Sequence, residues 1–283
     1  MGTTDCHVHV NPLHQMRPDV RAMMSHGGPS PRALQLVTDP KAFLAYLDEC
    51  GVERAVLVNY VSPEVVGYTE EANDFVIDFA HADRERLIAV GGVMPTRPDP
   101  GGEVERLYRA GIRGIKIHPP HQLFAPNAYL RELPRLREVY EACARFGLPV
   151  LFHTGTSVFP RARNKFGEPM LVEDVAVDFP ELRIVLAHGG RPLWMAQALF
   201  LIRRFPNVYM DVSSVPPTRL LSYFPELGRF SEKVLFGSDW PGPGVADIGE
   251  NLAGFRKSGL SAGAIEQILE RTPERVFPRV GPS

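Results

Sequence analysis

Near its start the chain reads Thr4-Asp5-Cys6-His7-Val8-His9-Val10, a short run in which polar and apolar side chains alternate. Alternation over a run of this length is typical of a β-strand. Further runs of similar length follow, and a longer amphipathic stretch separates each from the next. This strand-then-helix rhythm predicts a parallel α/β fold. The predicted strands are Thr4–Val10, Arg54–Tyr60, Leu87–Met94, Gly114–His118, Pro149–His153, Arg183–His188, Asn207–Val212 and Lys233–Ser238.

The stretches between these strands predict helices. Several of them end at a glycine, as at Gly51, Gly111 and Gly147, where a left-handed C-cap costs least. We expect the last segment, Ala262–Phe277, to be a terminal helix packed outside the sheet. The other predicted helices are Asp39–Cys50, Glu70–Ala82, Gly102–Ala110, Leu133–Phe146, Met170–Asp178, Leu193–Arg204, Thr218–Leu227 and Ala246–Lys257.

The position of the polar residues decides between two folds that share this rhythm, a closed barrel and an open doubly wound sheet. His118, His153 and His188 each close a predicted strand, and Asp239 follows the last one. In a barrel the C-terminal ends of all strands converge on one face, where the catalytic groups of the fold lie. We therefore predict a (β/α)8 TIM barrel, with residues 1–283 forming a single domain.

The composition indicates a small-molecule partner. The formal net charge is −2, from 31 basic and 33 acidic residues without long runs of one sign, so nothing indicates binding to nucleic acid or to a membrane. No secretory signal is recognisable at the N-terminus, and we expect a cytoplasmic protein. The three cysteines, Cys6, Cys50 and Cys143, are widely spaced and fit reduced core thiols. A homo-oligomer stays possible.

His7 and His9 are two residues apart, so on a regular strand both side chains project to the same side. Cys6 and Val8 would then point the other way, towards the surrounding helices, which removes Cys6 from the candidate ligands. Any single histidine could equally be a buried residue whose hydrogen bonds are met by backbone carbonyls. The recurrence of histidine and aspartate at the ends of separate strands favours a functional site.

Five short segments at the ends of strands one, four, five, six and eight resemble the amidohydrolase superfamily. More narrowly, they are similar to its amidohydrolase-2 branch, which includes hydrolases and nonoxidative decarboxylases such as aminocarboxymuconate semialdehyde decarboxylase. The resemblance covers nearly the whole chain and departs from the family pattern in the stretch Arg271–Phe277, outside the expected site. The segments are Asp5-Cys6-His7-Val8-His9, Gly114-Ile115-Lys116-Ile117-His118-Pro119, Phe152-His153-Thr154-Gly155, Ala187-His188-Gly189-Gly190 and Gly237-Ser238-Asp239-Trp240-Pro241.

The resemblance implies a metal centre with named ligands. These would be His7, His9, His153 and Asp239, and they would hold one divalent ion. Three imidazoles and one carboxylate suit zinc, which we expect, with manganese as the alternative. The resemblance further implies that His188 lies beside the substrate or the water, and that Asp239 also shuttles the proton. Asp239 and His188 are therefore the predicted catalytic residues.

Lys116 shares a strand face with His118, so both side chains should point into the barrel. A buried lysine is costly unless it is paired or functional. We interpret Lys116 as a cationic anchor for a substrate carboxylate, and His118 as a neighbouring substrate contact. Two alternatives stay open for Lys116: a carboxylated lysine that bridges two metal ions, as in other branches of the superfamily, and a structural ion pair with Asp5 or another interior acid.

Loops on the expected active face offer further candidate contacts. His121 lies in a proline-rich loop, Arg163 in the basic loop that follows strand five, and Arg191 just after the strand-six turn. All three are candidate substrate-binding residues, with a solvated or packing role as the alternative for each. Asp211, near the end of strand seven, is a candidate hydrogen-bond partner of a ligand histidine.

Two reactions fit this chemistry. The first is metal-dependent hydrolysis, in which activated water attacks an ester, lactone, amide or activated C–C bond of a small acidic substrate. The second is nonoxidative decarboxylation of a small carboxylic acid. The sequence Lys116-Ile117-His118-Pro119 is similar to hydrolase members and favours the first. A deaminase is disfavoured because barrels that resemble adenosine deaminase carry a glutamate shortly after the third metal histidine, whereas Thr154-Gly155-Thr156 follows His153 here. A non-catalytic ligand-binding barrel is the remaining alternative.

Overall fold

The computed structural model describes residues 2–24, 28–242 and 244–279. Within this part of the chain, all of the predicted strands are present. They are shorter than predicted at most ends, but the fifth and sixth continue to Gly155 and Arg191. The strands are β1 (Thr4–Val8), β2 (Arg54–Val58), β3 (Leu87–Val90), β4 (Ile115–Ile117), β5 (Val150–Gly155), β6 (Ile184–Arg191), β7 (Val208–Asp211) and β8 (Val234–Leu235).

The strands close into a barrel. Parallel pairing runs through β1, β2 and β3, and separately from β4 to β8. The two arcs are joined on one side, where Lys116 N–H donates to the Gly91 carbonyl over 2.7 Å, and on the other, where Cys6 N–H donates to the Phe236 carbonyl over 2.9 Å. The predicted (β/α)8 barrel is confirmed, and the open doubly wound sheet is excluded.

Helices surround the barrel and begin at recognisable caps. The side chains of Asp39, Asp99 and Asp247 accept backbone N–H groups in the first turn of their helices. Gly51 and Gly111 end helices in the left-handed region, as predicted. The helices are α1 (Pro18–Met24), α2 (Pro31–Leu36), α3 (Pro40–Cys50), α4 (Glu71–Ala80), α5 (Pro100–Ala110), α6 (Pro119–Gln122), α7 (Leu136–Arg145), α8 (Glu173–Asp178), α9 (Met195–Arg204), α10 (Leu220–Tyr223), α11 (Ile248–Arg256), α12 (Ala262–Glu266) and α13 (Thr272–Val276).

Prolines account for two differences from the predicted helices. The helix predicted to reach Leu227 ends at Tyr223, because the residue before Pro225 is biased away from helical backbone. The predicted terminal helix is divided by a π-helical turn over Gln267–Arg271. This turn lies just before Pro273, which lacks the N–H that an α-helix would donate. Among the described helices, we find none with the length and apolar character needed to cross a bilayer.

The side chains of each strand divide between the barrel interior and the helices. On β2, Val56 and Val58 belong to the interior cluster, whereas Ala55 and Leu57 pack towards the helices. Cys6 also lies in the interior cluster, so the prediction that it faces the helices is wrong. The reason is an irregularity between Asp5 and Val8, where the register of β1 shifts against β2 and the alternation of faces is interrupted.

Candidate active site

A cavity of about 260 Å³ opens at the C-terminal ends of the strands. Most of the predicted site residues reach it, because the carboxyl ends of all strands meet at this face. His7 is not in the cavity wall but lies directly behind it, beside His9 and His188. The predicted residues that line the cavity are His9, Lys116, His118, His121, His153, His188, Arg191 and Asp239.

His7, His9 and Asp239 form a cluster of three possible metal ligands. The Asp239 Oδ1 atom lies 3.0 Å from His9 Nε2 and 3.7 Å from His7 Nε2. His9 Nδ1 is 2.8 Å from the Val58 carbonyl and His7 Nδ1 is 2.9 Å from an Asp211 oxygen. If each Nδ1 donates, the Nε2 lone pairs of both rings face a carboxylate, an arrangement that a cation between them would satisfy.

The ionisation of this cluster also suits a cation. Burial lowers the pKa of His7, which keeps the ring neutral and able to ligate. Burial by itself would raise the pKa of Asp239, but the imidazoles of His188, His7 and His9 together hold it well below its usual range. His7 Nε2 is buried and has no hydrogen-bond partner among the described residues. The chemistry of these donors therefore fits a divalent metal ion.

His153 lies in the adjoining part of the cavity, within a row of histidine rings. It stacks on His118 at a centroid distance of 3.8 Å and meets His188 edge-on at 4.6 Å. Its Nε2 atom is buried without a partner in the described chain. Two groups of possible metal ligands lie close enough together among the described residues, and His153 belongs to neither. They are His7–His9–Asp239 and His7–His188–Asp211. The structure thus places His153 next to the cluster, and its role as a fourth ligand stays a prediction.

Asp211 connects β7 to the histidines. Its Oδ2 atom lies 2.9 Å from His7 Nδ1, and its Oδ1 atom accepts the backbone N–H groups of His188 and Ser213 at 3.0 Å. Ser213, which the sequence analysis did not identify, places its hydroxyl 2.8 Å from His188 Nδ1. These contacts set the orientation of both rings, in agreement with the role proposed for Asp211 from the sequence.

Two site residues have left-handed backbones, His188 with a φ of 66° and Asp239 with a φ of 68°. For a residue other than glycine such a conformation costs on the order of 1–3 kcal/mol and persists where the surroundings hold it. Here the Asp211 carboxylate holds the His188 N–H, and the His7 carbonyl accepts the Asp239 N–H at 2.8 Å. Both predicted catalytic residues are therefore strained positions of the cavity wall, and Ser214, with a φ of 55°, is a third.

Lys116 lies on the wall of the same cavity and is 1% exposed. Its Nζ atom has no hydrogen-bond partner among the described residues. Burial lowers the pKa of Lys116 to about 8, although Asp211 and Asp239 oppose that effect. The Asp5 carboxylate instead accepts the N–H groups of Ser238 and His7. The structural ion pair between Lys116 and Asp5 is therefore not formed.

Of the three candidates predicted in loops, His121 lies in the short helix α6 and Arg191 is the last residue of β6, so only Arg163 lies outside these elements. An Arg191 nitrogen lies 3.8 Å from Asp239 Oδ2, at the cavity. Both ring nitrogens of His121 are engaged, one at 2.9 Å from the Tyr60 hydroxyl and the other at 2.6 Å from the Ser157 hydroxyl. Arg163 is not among the residues that line the cavity, because its guanidinium turns back to carbonyls of its own loop.

Part of the cavity wall is apolar, a feature that was not predicted from the sequence. Met16, Val66 and Tyr68 are buried there, and the partly buried Leu13 and Phe159 pack against the same group. These residues belong to loops after β1, β2 and β5, which only the closed barrel brings together. The cavity thus joins a cationic, histidine-rich side to an apolar side.

Comparison with known proteins identifies the class. The model of the Amidohydrolase family matches residues 4–279, and the chain belongs to this family, in its amidohydrolase-2 branch. The members of this family are metal-dependent enzymes, and the chain has both the barrel and a His/Asp cluster. It is therefore an enzyme of the metal-dependent amidohydrolase fold. None of the curated proteins matches the chain.

Solved structures show the same fold. An uncharacterized TIM-barrel protein from Bordetella bronchiseptica is 22% identical, with a TM-score of 0.78 and 100% of both chains covered. A probable 2-pyrone-4,6-dicarboxylic acid hydrolase from Acinetobacter baumannii, with citric acid bound, is 17% identical, with a TM-score of 0.69 and coverage of 98% and 99%. A 5-carboxyvanillate decarboxylase from Novosphingobium aromaticivorans, with bound manganese, is 19% identical, with a TM-score of 0.66 and coverage of 98% and 96%.

Proposed function

We propose that this enzyme is a metal-dependent hydrolase that opens a carbonyl-type bond, such as an ester, lactone or amide, in a small anionic substrate. The observation that carries the proposal is the buried, unpartnered ammonium group of Lys116 on the wall of the cavity that also holds the His7–His9–Asp239 cluster. A small molecule is the proposed partner, rather than nucleic acid or a membrane.

The cavity suits an acid with one ring. A buried charge is costly without a counter-charge, and a substrate carboxylate would supply one to Lys116. Arg191, at the same cavity, adds a second cation beside Asp239. An apolar cavity of roughly 150 Å³ holds a benzene molecule, so the 260 Å³ of this cavity has room for one substituted ring. Its apolar wall, including Tyr68 and Phe159, would contact the uncharged part.

We propose that His7, His9, Asp239 and His153 hold one divalent ion, zinc or manganese. Such an ion supplies Lewis acidity and lowers the pKa of a coordinated water from 15.7 to about 7. Asp239 is ionised, and its second oxygen accepts the Ser214 hydroxyl, so the carboxylate is oriented to take a proton. The ring of His188 is held by Ser213 at the wall of the cavity, where it would contact the substrate or the water.

The ionisation of the cavity favours hydrolysis over decarboxylation. Hydrolysis needs a group that accepts a proton from water, and the low pKa of Asp239 keeps its carboxylate ionised and available for that role. Decarboxylation needs a group that delivers a proton to carbon, but burial lowers the pKa of His118, His153 and His188 well below the usual range. Decarboxylation is the second candidate function, because a solved structure of the same fold is that of a decarboxylase.

The test uses one substrate for each reaction. 2-Pyrone-4,6-dicarboxylate, a lactone with two carboxylates, and 5-carboxyvanillate are each incubated with enzyme purified without chelator. Ring opening is followed by absorbance, and carbon dioxide release by mass spectrometry. Hydrolysis of the lactone, or of related acidic esters and amides, supports the proposal. Carbon dioxide release without any hydrolysis would instead support decarboxylation, the second candidate function.

Metal content is measured on the same preparation. About one equivalent of zinc or manganese per chain supports the single-ion site. About two equivalents would make Lys116 a carboxylated bridging ligand instead of an anchor. No bound metal, with no activity after zinc or manganese is added, would overturn metal-dependent hydrolysis.

A further inference from the structure

A second cavity, of about 380 Å³, lies at the opposite end of the barrel. Its residues mark the N-terminal ends of the strands: Arg54 is the first residue of β2, and Arg183 immediately precedes β6. Phe277, after the last helix, closes the barrel interior at this end and forms part of the cavity. No residue that lines this cavity also lines the one at the active site.

The charge of this second cavity is strongly positive. Five arginines line it against one glutamate, Glu85. Two of the arginines are neutralised, because Glu274 accepts from Arg54 at 2.8 Å and from Arg279 at 2.9 Å, and Glu53 also accepts from Arg279 at 2.5 Å. In the described chain no carboxylate lies within ion-pair distance of the other three arginines. These three are Arg84, Arg113 and Arg183.

Several guanidinium N–H groups at this cavity lack acceptors. The Nε atoms of Arg54 and Arg183 are buried and have no hydrogen-bond partner in the described part of the chain. Arg113 donates one nitrogen to the carbonyls of Tyr108 and Ile112, at 3.1 and 2.9 Å. The guanidinium groups of Arg84, Arg113 and Arg183 therefore line the cavity without a carboxylate partner among the described residues, and such groups attract an anion.

The remaining wall is apolar and aromatic. The rings of Tyr108 and Phe146 stack at a centroid distance of 4.9 Å, and the Arg113 guanidinium lies 5.4 Å from the Tyr108 ring centre. Ile88 and Phe277, both buried, complete the floor. The size of the cavity is that of a site for a compact organic ligand, and it is too small for a protein or nucleic-acid segment.

We propose that this second cavity binds a small aryl oxyanion, a phosphate or carboxylate attached to one ring. Guanidinium groups bind either anion through paired N–H donors, and the apolar floor accommodates the ring. The site is independent of the proposed hydrolase activity, because it shares neither a residue nor the metal cluster with the active site. A ligand bound there would also stabilise the folded chain, since it binds the native barrel alone.

The experiment measures binding of phenyl phosphate by isothermal titration calorimetry at low salt, with benzoate and inorganic phosphate as parallel ligands. Arg113→Gln and Arg183→Gln are each expected to raise the Kd about tenfold, the effect of removing one charge-assisted hydrogen bond. Arg131→Gln is the matched control, an exposed arginine in the loop after β4, at the active-site end, and should leave the Kd unchanged. Thermal unfolding of each variant without ligand checks that the barrel stays folded.

Further variants separate this site from the active site. Lys116→Met and Asp239→Asn alter the active-site cavity, which also suits a one-ring anion, so neither should change the Kd of the binding event that Arg113→Gln and Arg183→Gln weaken. Loss of binding in Lys116→Met would assign the anion to the active site and overturn the proposal. Equal affinity for inorganic phosphate and phenyl phosphate would overturn the role of the ring. Absence of both binding heat and a rise in Tm at millimolar phenyl phosphate would overturn the site itself.

Discussion

Replacing Lys116 by methionine is expected to stabilise the folded chain while it impairs activity. Burial lowers the pKa of Lys116 from 10.5 to about 8. Since one pKa unit corresponds to about 1.4 kcal/mol, the charged ammonium costs the folded state roughly 3 kcal/mol at pH 7. Methionine fills similar space without a charge, so the Lys116→Met variant should recover most of this free energy.

The gain in stability should depend on pH. The folded pKa of Lys116 lies below the unfolded one, so below pH 8 both states carry the proton and the folded state bears the full cost. Between pH 8 and 10.5 the folded state loses its proton first, and the cost declines. The gain from Lys116→Met should therefore fall from about 3 kcal/mol at pH 7 to about 1 kcal/mol at pH 9.5.

Urea unfolding of chelator-treated protein at pH 7 and 9.5 measures both values. Lys257→Met serves as the control, because Lys257 is exposed and its replacement should have little effect at either pH. On the metal-loaded enzyme, Lys116→Met should raise KM for acidic substrates. A variant that is less stable than the wild type at pH 7, or whose gain is equal at both pH values, would refute the interpretation of Lys116 as an unpaired buried cation.

Three further substitutions test the site. Asp239→Asn should lower kcat by about 10²–10⁴, the usual contribution of a general base, with an unchanged circular dichroism spectrum; retained turnover would contradict the assigned role. Asp211→Asn should weaken metal affinity about 10- to 100-fold, because Asp211 orients His7. Competition with a chelator measures the affinity. An unchanged affinity would show that Asp211 does not support the metal site. His121→Phe should lower the free energy of unfolding by about 1–3 kcal/mol, because two hydrogen bonds are lost. KM should change little, since the hydroxyls of Tyr60 and Ser157 already contact both ring nitrogens of His121. A KM raised tenfold or more would restore His121 as a substrate contact.

The barrel and the location of its site were predictable for a common reason. Strands and helices have different hydrophobic periods, so the β/α alternation can be recognised without any tertiary information. Once closure is assumed, every strand end points to one face, and His118, His153, His188 and Asp239 must gather there. The structure confirms the barrel and places these four residues around one cavity.

The details that could not be predicted depend on tertiary contacts. The inward position of Cys6 follows from the register shift of β1 against β2, which the residues of β1 do not reveal. Nothing in the sequence distinguishes Ser213 from other serines, because its contact with His188 exists only in the folded barrel. The left-handed backbone of Asp239 is held by the carbonyl of His7 on another strand. By contrast, the end of helix α10 at Tyr223 was predictable, because Pro225 lies within the predicted helix.

Barrel closure also brings residues from separate strands together at the other end of the barrel, in the arginine-lined cavity. The four arginines of this cavity that lie near strand starts are far apart in the sequence, and each alone would be expected at the surface. They are Arg54, Arg84, Arg113 and Arg183. Each of them begins a strand or lies within three residues of its start, at β2, β3, β4 and β6. Closure must bring such positions together at the N-terminal face, as it brings the histidines together at the C-terminal face. Basic residues that recur before strands therefore predict an anion-binding cavity by the reasoning that located the active site.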